Sequence, residues 1–175
     1  MSSPQVSQPA KLIVGAFMSD RAILGDVLAP MLDTLGPIDM VSAWLPFDKT
    51  DYYAAEMGSP LFRRLFGFQE LIGQDALVDV KLFTNRIESR FSRAGKRMVN
   101  VDPGYLLPER FVLATGKNYA HRIFLRDGIY ADLTLIYREG RFSSLEWTYP
   151  DYAGEEIQSF LESARNRYLF ELKRF

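Results

Sequence analysis

Cysteine is absent from the 175 residues. That excludes disulfides, thiol nucleophiles and thiolate metal sites together, and suits a reducing cytoplasm. There is a single histidine, His121. A histidine-built metal cluster is excluded, and so is a phosphoesterase built on two His-x-Thr pairs, so no residue is assigned to a metal. Long apolar runs are also lacking. LIVGAFM, residues 12–18, is far shorter than the ~20 residues that cross a bilayer. The N-terminal MSSPQVSQPA has no basic start followed by an apolar stretch, so it does not read as a secretory signal, and a cytoplasmic location without membrane association is expected. Neither sign of charge dominates: 21 Lys and Arg face 22 Asp and Glu, for a net charge of −1. There is accordingly no strong nucleic-acid signal. Nucleotide loops are missing. RAGKRM, residues 93–98, has Gly95-Lys96 followed by Arg97 instead of Ser or Thr, and GAFMSDR, residues 15–21, lacks the second and third glycines of a dinucleotide loop. No serine sits in a G-x-S-x-G elbow. The cofactor, if there is one, is left unknown.

Hydrophobic residues make up 47% of the chain and aromatic residues 14%, enough for one aromatic-rich core. Residues 1–10 read as a disordered tail and residues 11–175 as a single α+β domain. KLIVGAFM reads as a buried strand. Ser19 or Asp20 then caps a helix carrying Ile23, Leu24, Val27, Leu28, Met31, Leu32 and Leu35, which Pro30 should kink or shorten and Gly36-Pro37 should stop. IDMVSAWL reads as a second strand and LFRRLFGF as a third, with a loop or single helical turn between them. A helix follows, with Asp75 as its cap and Leu77, Val80, Ile87 and Phe91 as its stripe. RMVNV reads as a fourth strand, ended by a type II turn at Asp102-Pro103-Gly104. This first half has the element order of a ferredoxin-like βαββαβ core. RFVLAT, YAHRIFL, IYADLTLIY and RFSSLEW extend it as an antiparallel meander, and a C-terminal helix carries Ile157, Phe160, Leu161, Ala164 and Tyr168.

The meander holds the candidate site. A three-residue RDG loop closed by Leu125 and Ile129 sets Arg122 opposite Asp132 and Phe124 opposite Tyr130, while His121 leans to the other face. A three-residue REG loop then sets Asp132 beside Glu146 and Thr134 beside Ser144. Two carboxylates beside an arginine can position a metal, a proton or a phosphate, whereas the plainer alternative is a solvated, salt-bridged sheet face. His121 reads as a hydrogen-bonded core histidine or as a base. Arg86, Arg90, Arg93 and Arg97 fall at helical spacing, either as a phosphate-binding stripe or as a solvated helix face. Trp147, Tyr149 and Tyr152 of WTYPDY either stack a ring or cap the core edge. Asp102 is either a turn residue or a catalytic or metal-binding carboxylate.

EMG, VNVDPGYL, ATGKNYAHRIFL, GIYADLTLIY and WTYPDY, in this order and at these spacings, resemble the prokaryotic family catalogued as domain of unknown function 4416. The resemblance covers nearly the whole chain after the tail. It implies an acidic residue at Asp132, a lysine at Lys117 and a His-Arg pair at His121-Arg122, but no established activity. Some members carry the label GTP-binding protein. The expected function is an anion-binding domain for a nucleotide or phosphorylated metabolite, in which Arg63, Arg64, Lys117 and Arg122 hold the anion. Asp132 or Asp102 then serves as acid, base or metal ligand and His121 as a catalytic candidate, with Glu146, Trp147 and Tyr149 as further ligand contacts. The alternative is a non-catalytic interaction or homodimerisation module.

Overall fold

The computed structural model describes residues 3–173. Its main sheet has nine strands. Seven run in the order β11-β10-β8-β7-β1-β4-β2, with β3 added on β4 and β9 added on β10. Every pairing is antiparallel. The central strand β1 (Ala10–Met18) lies between β7 (Val99–Leu107) and β4 (Phe62–Ile72). It is buried throughout because both sheet faces are covered. Leu12, Val14, Ala16 and Met18 pack with Val27 and Met31 of α1 (Leu24–Leu35) and Val80 and Ile87 of α3 (Leu77–Arg90). On the opposite face Ile13 joins Ile157, Leu161 and Ala164 of α4 (Glu155–Leu172). Alternation along one strand thus feeds two cores.

Several expectations give way to tertiary contacts. The α1 region opens with a 3-10 turn at Arg21–Ile23, where the Asp20 carboxylate accepts from the Ala22 N–H, and the helix continues past Pro30 to Leu35. Asp75 lies inside a 3-10 turn at Gln74–Ala76 and does not cap α3. IDMVSAWL divides into β2 (Ile38–Val41) and β3 (Leu45–Pro46), followed by the short α2 (Ala54–Met57). The arginine stripe does not exist, because α3 stops at Arg90. Arg93 and Arg97 belong to a small hairpin of β5 (Ser92–Arg93) and β6 (Lys96–Arg97), which turns at Ala94-Gly95.

Asp102-Pro103-Gly104 is not a turn: β7 runs straight through it. Val101 sends its N–H to Glu88 Oε1 at 2.8 Å, and its carbonyl accepts from Lys81 Nζ at 2.9 Å, so α3 side chains replace a neighbouring strand there. Two residues on, Pro103 faces the same side. Its missing N–H removes no ladder bond, because β8 (Arg110–Thr115) pairs with β7 only from Gly104 to Leu107. Gly104 is needed for close approach. A Cβ there would lie 2.6 Å from the Val112 carbonyl oxygen and 2.9 Å from the Phe111 ring.

The meander also differs in its turns. Asp127-Gly128 and Glu139-Gly140 both have positive φ at each residue, which makes them two-residue turns of the type I′ pattern rather than three-residue loops. In the first hairpin, of β9 (Arg122–Arg126) and β10 (Ile129–Arg138), Ile129 faces Arg126. An irregularity at Leu125 then absorbs one residue, so Phe124 still faces Tyr130 and Arg122 still faces Asp132. The second hairpin has no such correction. Ser144, the last residue of β11 (Arg141–Ser144), faces Leu135 rather than Thr134, and Glu146 lies beyond the strand.

Candidate functional site

Below Gly104 the strands β7 and β8 part. Leu113, Ala114 and Thr115 stay paired with β10 and have no partner on β7 beyond Gly104. The resulting cleft has a volume of about 620 Å³ and is lined by residues of the segment 47–53 before α2, of α3, β7 and β8, and of the segment Tyr149–Tyr152. Its floor is ionic. Arg63, buried on β4, places Nη2 3.3 Å from Asp102 Oδ2 and Nη1 2.5 Å from Asp151 Oδ2. The guanidinium is boxed by the rings of Phe17, Phe47 and Tyr152, with Cζ 4.7–5.0 Å from their centroids. Lys81 Nζ lies 3.8 Å from both Glu88 and Asp102. Arg97 forks onto Glu56 at 2.7 and 2.9 Å, and its third nitrogen meets Glu88 at 3.1 Å and Asn100 at 2.8 Å.

A second arginine holds the other wall. Arg122 Nε donates to the buried Asp132 at 2.8 Å, Nη1 to the Lys117 carbonyl at 2.9 Å and Nη2 to the Tyr149 hydroxyl at 2.6 Å. The Arg122–Asp132 pairing expected from the hairpin is therefore present and buried, with a concavity beside it. Since the Tyr149 oxygen accepts from Arg122, its own proton is left to donate elsewhere. Segment Tyr149–Tyr152 thus bridges both walls: Tyr149 is held by Arg122 and Asp151 by Arg63.

Burial pushes the hydroxyls of Tyr53, Tyr149 and Tyr152 above the ordinary phenol range, and nearby carboxylates add to the effect. These groups remain protonated donors at neutral pH. Burial also pushes the Glu88 carboxyl up, against the pull of Lys81, the Val101 N–H and Arg97. Hydrogen bonding from Arg97 holds Glu56 below its ordinary value, and the same contact raises Arg97.

The sequence-derived residues fall into two groups. Arg63, Asp102, Lys117, Arg122, Asp132 and Tyr149 all line the cleft. Arg64, Glu146, Trp147 and His121 do not. Alternation turns Arg64 away, and it donates to the Ser42 carbonyl and covers the Trp44 ring. Glu146 is exposed in a turn, displaced by the one-residue change in hairpin register. Trp147 donates to the Leu133 carbonyl at 2.8 Å and stacks on His121, with centroids 4.9 Å apart. His121 does not lean to the opposite face. It precedes β9 in a turn closed by Arg122 N–H to Tyr119 O, so it escapes strand alternation, and its Nε2 lies 3.5 Å from Asp132 Oδ2. It makes neither the backbone bond nor the tyrosine bond expected of a core histidine; Nε2 is buried without a hydrogen-bond partner.

Lys81, Glu88, Asp151 and Tyr53 also line the cleft without having been assigned to a site from the sequence, and so do Arg97 and Tyr152, weighed there only as part of an arginine stripe and as a ring-stacking or core-edge residue. A signal was present for two of them. Lys81, Asn85 and Glu88 lie at i, i+4 and i+7, a polar stripe on α3 beside its apolar face. Among the described residues no three of His, Asp and Glu gather to hold a metal ion, and no helix is long and apolar enough to cross a membrane.

The model of the family described as Domain of unknown function (DUF4416) matches residues 8–168, and the chain belongs to that family. No curated protein and no solved structure matches it.

Proposed function

We propose that this member of the family binds a small anionic ligand, of the class of nucleotides and phosphorylated metabolites, in the cleft between β7 and β8. The observation that carries the reading is the cleft itself. Six cations, Lys49, Arg63, Lys81, Arg97, Lys117 and Arg122, converge on one cavity of ligand size against four carboxylates. Unsatisfied polar atoms also gather there. The Arg63 Nε, Asn100 Nδ2 and Tyr152 hydroxyl are buried without hydrogen-bond partners, and each belongs to a cleft-lining residue. The strand order β7-β1-β4-β2, with α1 following β1 and α3 following β4, supports a ferredoxin-like core as the scaffold. If the bound ligand is turned over, Asp102 is the carboxylate best placed to exchange a proton with it, since its side chain is the most accessible of the four carboxylates that line the cleft. Asp132 and His121 lie behind Arg122 and would act by holding it.

A thermal-shift screen of nucleotides, phosphorylated metabolites, inorganic phosphate and divalent metals tests the reading. A concentration-dependent rise in melting temperature with anions, lost in Lys117→Ala, is the expected result, and a flat response to every anion rejects it.

A second reading, an interaction or homodimerisation module, has its own observation. Strand β9 pairs with β10 alone among the described strands, and its Ile123 and Phe124 are 67% and 58% exposed. Phe170 on α4 is also largely exposed. Sedimentation velocity across a hundred-fold concentration range decides whether the chain self-associates.

A further inference from the structure

The cations of the cleft are not equivalent. The four at the floor already have buried or partly buried carboxylate partners. Arg63 meets Asp102 and Asp151, Lys81 meets Glu88 and Asp102, Arg97 meets Glu56 and Glu88, and Arg122 meets Asp132. Taken together the floor carries no cationic excess. A full anion placed there would have to displace a carboxylate from an arginine and leave that carboxylate buried beside it, which is strongly unfavourable. What the floor does offer is hydrogen-bonding capacity of both kinds: the Asp102 carboxylate accepts, and the Asn85 amide, the Asn100 Nδ2 and the Tyr149 hydroxyl donate. Such a mixed set matches hydroxyl groups, which donate and accept at once.

The mouth is different. Lys117 is exposed; its ammonium contacts the Tyr52 hydroxyl at 3.3 Å and, among the described residues, touches no carboxylate, although its charge reaches Glu56. Lys49 is exposed, and its ion pair with the equally exposed Asp48 at 3.7 Å is open to water and weak. Tyr52 and Tyr119, 68% and 61% exposed, also line the mouth, with Lys117 over the Tyr52 ring and Arg122 over the Tyr119 ring. The positive charge able to attract a ligand therefore sits at the entrance, above a neutral polar floor.

From this division we infer that the ligand is a polyhydroxylated small molecule carrying one terminal phosphate, its phosphate held at the mouth by Lys117 and Lys49 and its hydroxyls directed inward to Asp102, Asn85, Asn100 and Tyr149. Two ammonium groups suit the charge of a phosphate monoester, about −1.5 to −2 at neutral pH. The cavity of about 620 Å³ is far larger than phosphate alone requires. The inference rests on the anion-binding reading and narrows it, moving the anion from the arginines to the lysines.

Isothermal titration of the full chain at fixed ionic strength with ribose 5-phosphate, glycerol 3-phosphate, free ribose and inorganic phosphate tests it. At least one of the two phosphorylated polyols binds about ten-fold or more tighter than inorganic phosphate, and free ribose binds more weakly than either. Lys117→Ala weakens the phosphorylated polyol and inorganic phosphate alike, by about five- to ten-fold. Asn85→Ala weakens the polyol phosphate by a similar factor and leaves inorganic phosphate unchanged. Circular dichroism confirms that both surface-facing variants fold, and Lys49→Ala repeats the first arm. Inorganic phosphate binding as tightly as both polyol phosphates overturns the inference while the anion site stands. Binding that is indifferent to Lys117 and Lys49 also overturns it and returns the anion to the arginines. No binding by any phosphate overturns the inference and the anion site together.

Discussion

The two ends of the sheet bury cations in different surroundings. At one end Lys11 of β1 is wholly inaccessible. Its ammonium contacts Asp39 at 2.8 Å, Glu171 at 3.1 Å and the Phe68 carbonyl at 2.9 Å, and Arg167 closes over Asp39 at 2.7 Å. There the sheet is continuous, with β8 paired to β7 through Leu107. At the other end Arg63, Lys81, Arg97 and Arg122 are held by carboxylates in the same manner, but around a gap between strands. The distribution of unsatisfied atoms separates the two ends. Among the described residues the Lys11 end leaves only Asp39 Oδ1 without a hydrogen-bond partner, whereas the Arg63 Nε, Asn100 Nδ2, His121 Nε2 and Tyr152 hydroxyl lie unsatisfied in or beside the cleft. A buried ion cluster by itself therefore says little about function. A buried ion cluster whose hydrogen bonding is incomplete, next to an open cavity, is where a ligand has something to add.

The largest expected effect tests the closed end. Lys11→Ala leaves Asp39 and Glu171 without their shared ammonium, and unfolding by denaturant should show a loss of about 3–5 kcal/mol. Phosphate affinity, measured on the folded fraction, should not change. A loss of affinity equal to that of Lys117→Ala would show that the two ends are not independent. Gly104→Ala attacks the point where the ends meet. The new methyl has no room against the Val112 carbonyl oxygen, so β8 must shift, at about 1–3 kcal/mol. A neutral effect would mean that the strand junction is not tightly packed.

Lys81→Met separates the two halves of β7. It removes the donor to the Val101 carbonyl, at about 1–3 kcal/mol. Amide hydrogen exchange should accelerate at residues 99–102 and stay slow at residues 105–107, which β8 protects. Uniform acceleration along the strand would contradict that division. The smallest effect is one of pH. Glu56 titrates below its ordinary 4.5 because Arg97 hydrogen-bonds its charged form. An acid whose folded pKa is depressed stabilises the fold above the unfolded pKa, and that stabilisation is lost as pH falls through the folded value. Glu56→Gln should therefore reduce the loss of stability below about pH 4.5, by less than about 1 kcal/mol because the pair is partly exposed. An unchanged acid profile would show that the pair is screened out.

The sequence by itself determined what depends on near neighbours. The apolar run of β1, the stripe of α4 and the antiparallel meander follow from period and composition, and the motifs carry the family. The facing of Arg122 and Asp132 follows from a turn a few residues away, and it held although the turn type differed, because the Leu125 irregularity offset the shorter loop. Only the tertiary structure decided the cleft. Asp102-Pro103-Gly104 has the chemistry of a turn, yet it lies within a strand because β1 pairs along it, α3 side chains satisfy Val101, and β8 begins its pairing at Gly104. Arg63 meets Asp102 and Asp151 from distant parts of the chain, and Arg97 reaches Glu56 across the fold. No local period encodes such meetings. They are fixed when burial leaves each charge no better partner, and that choice exists only once the sheet and its two helical layers have closed.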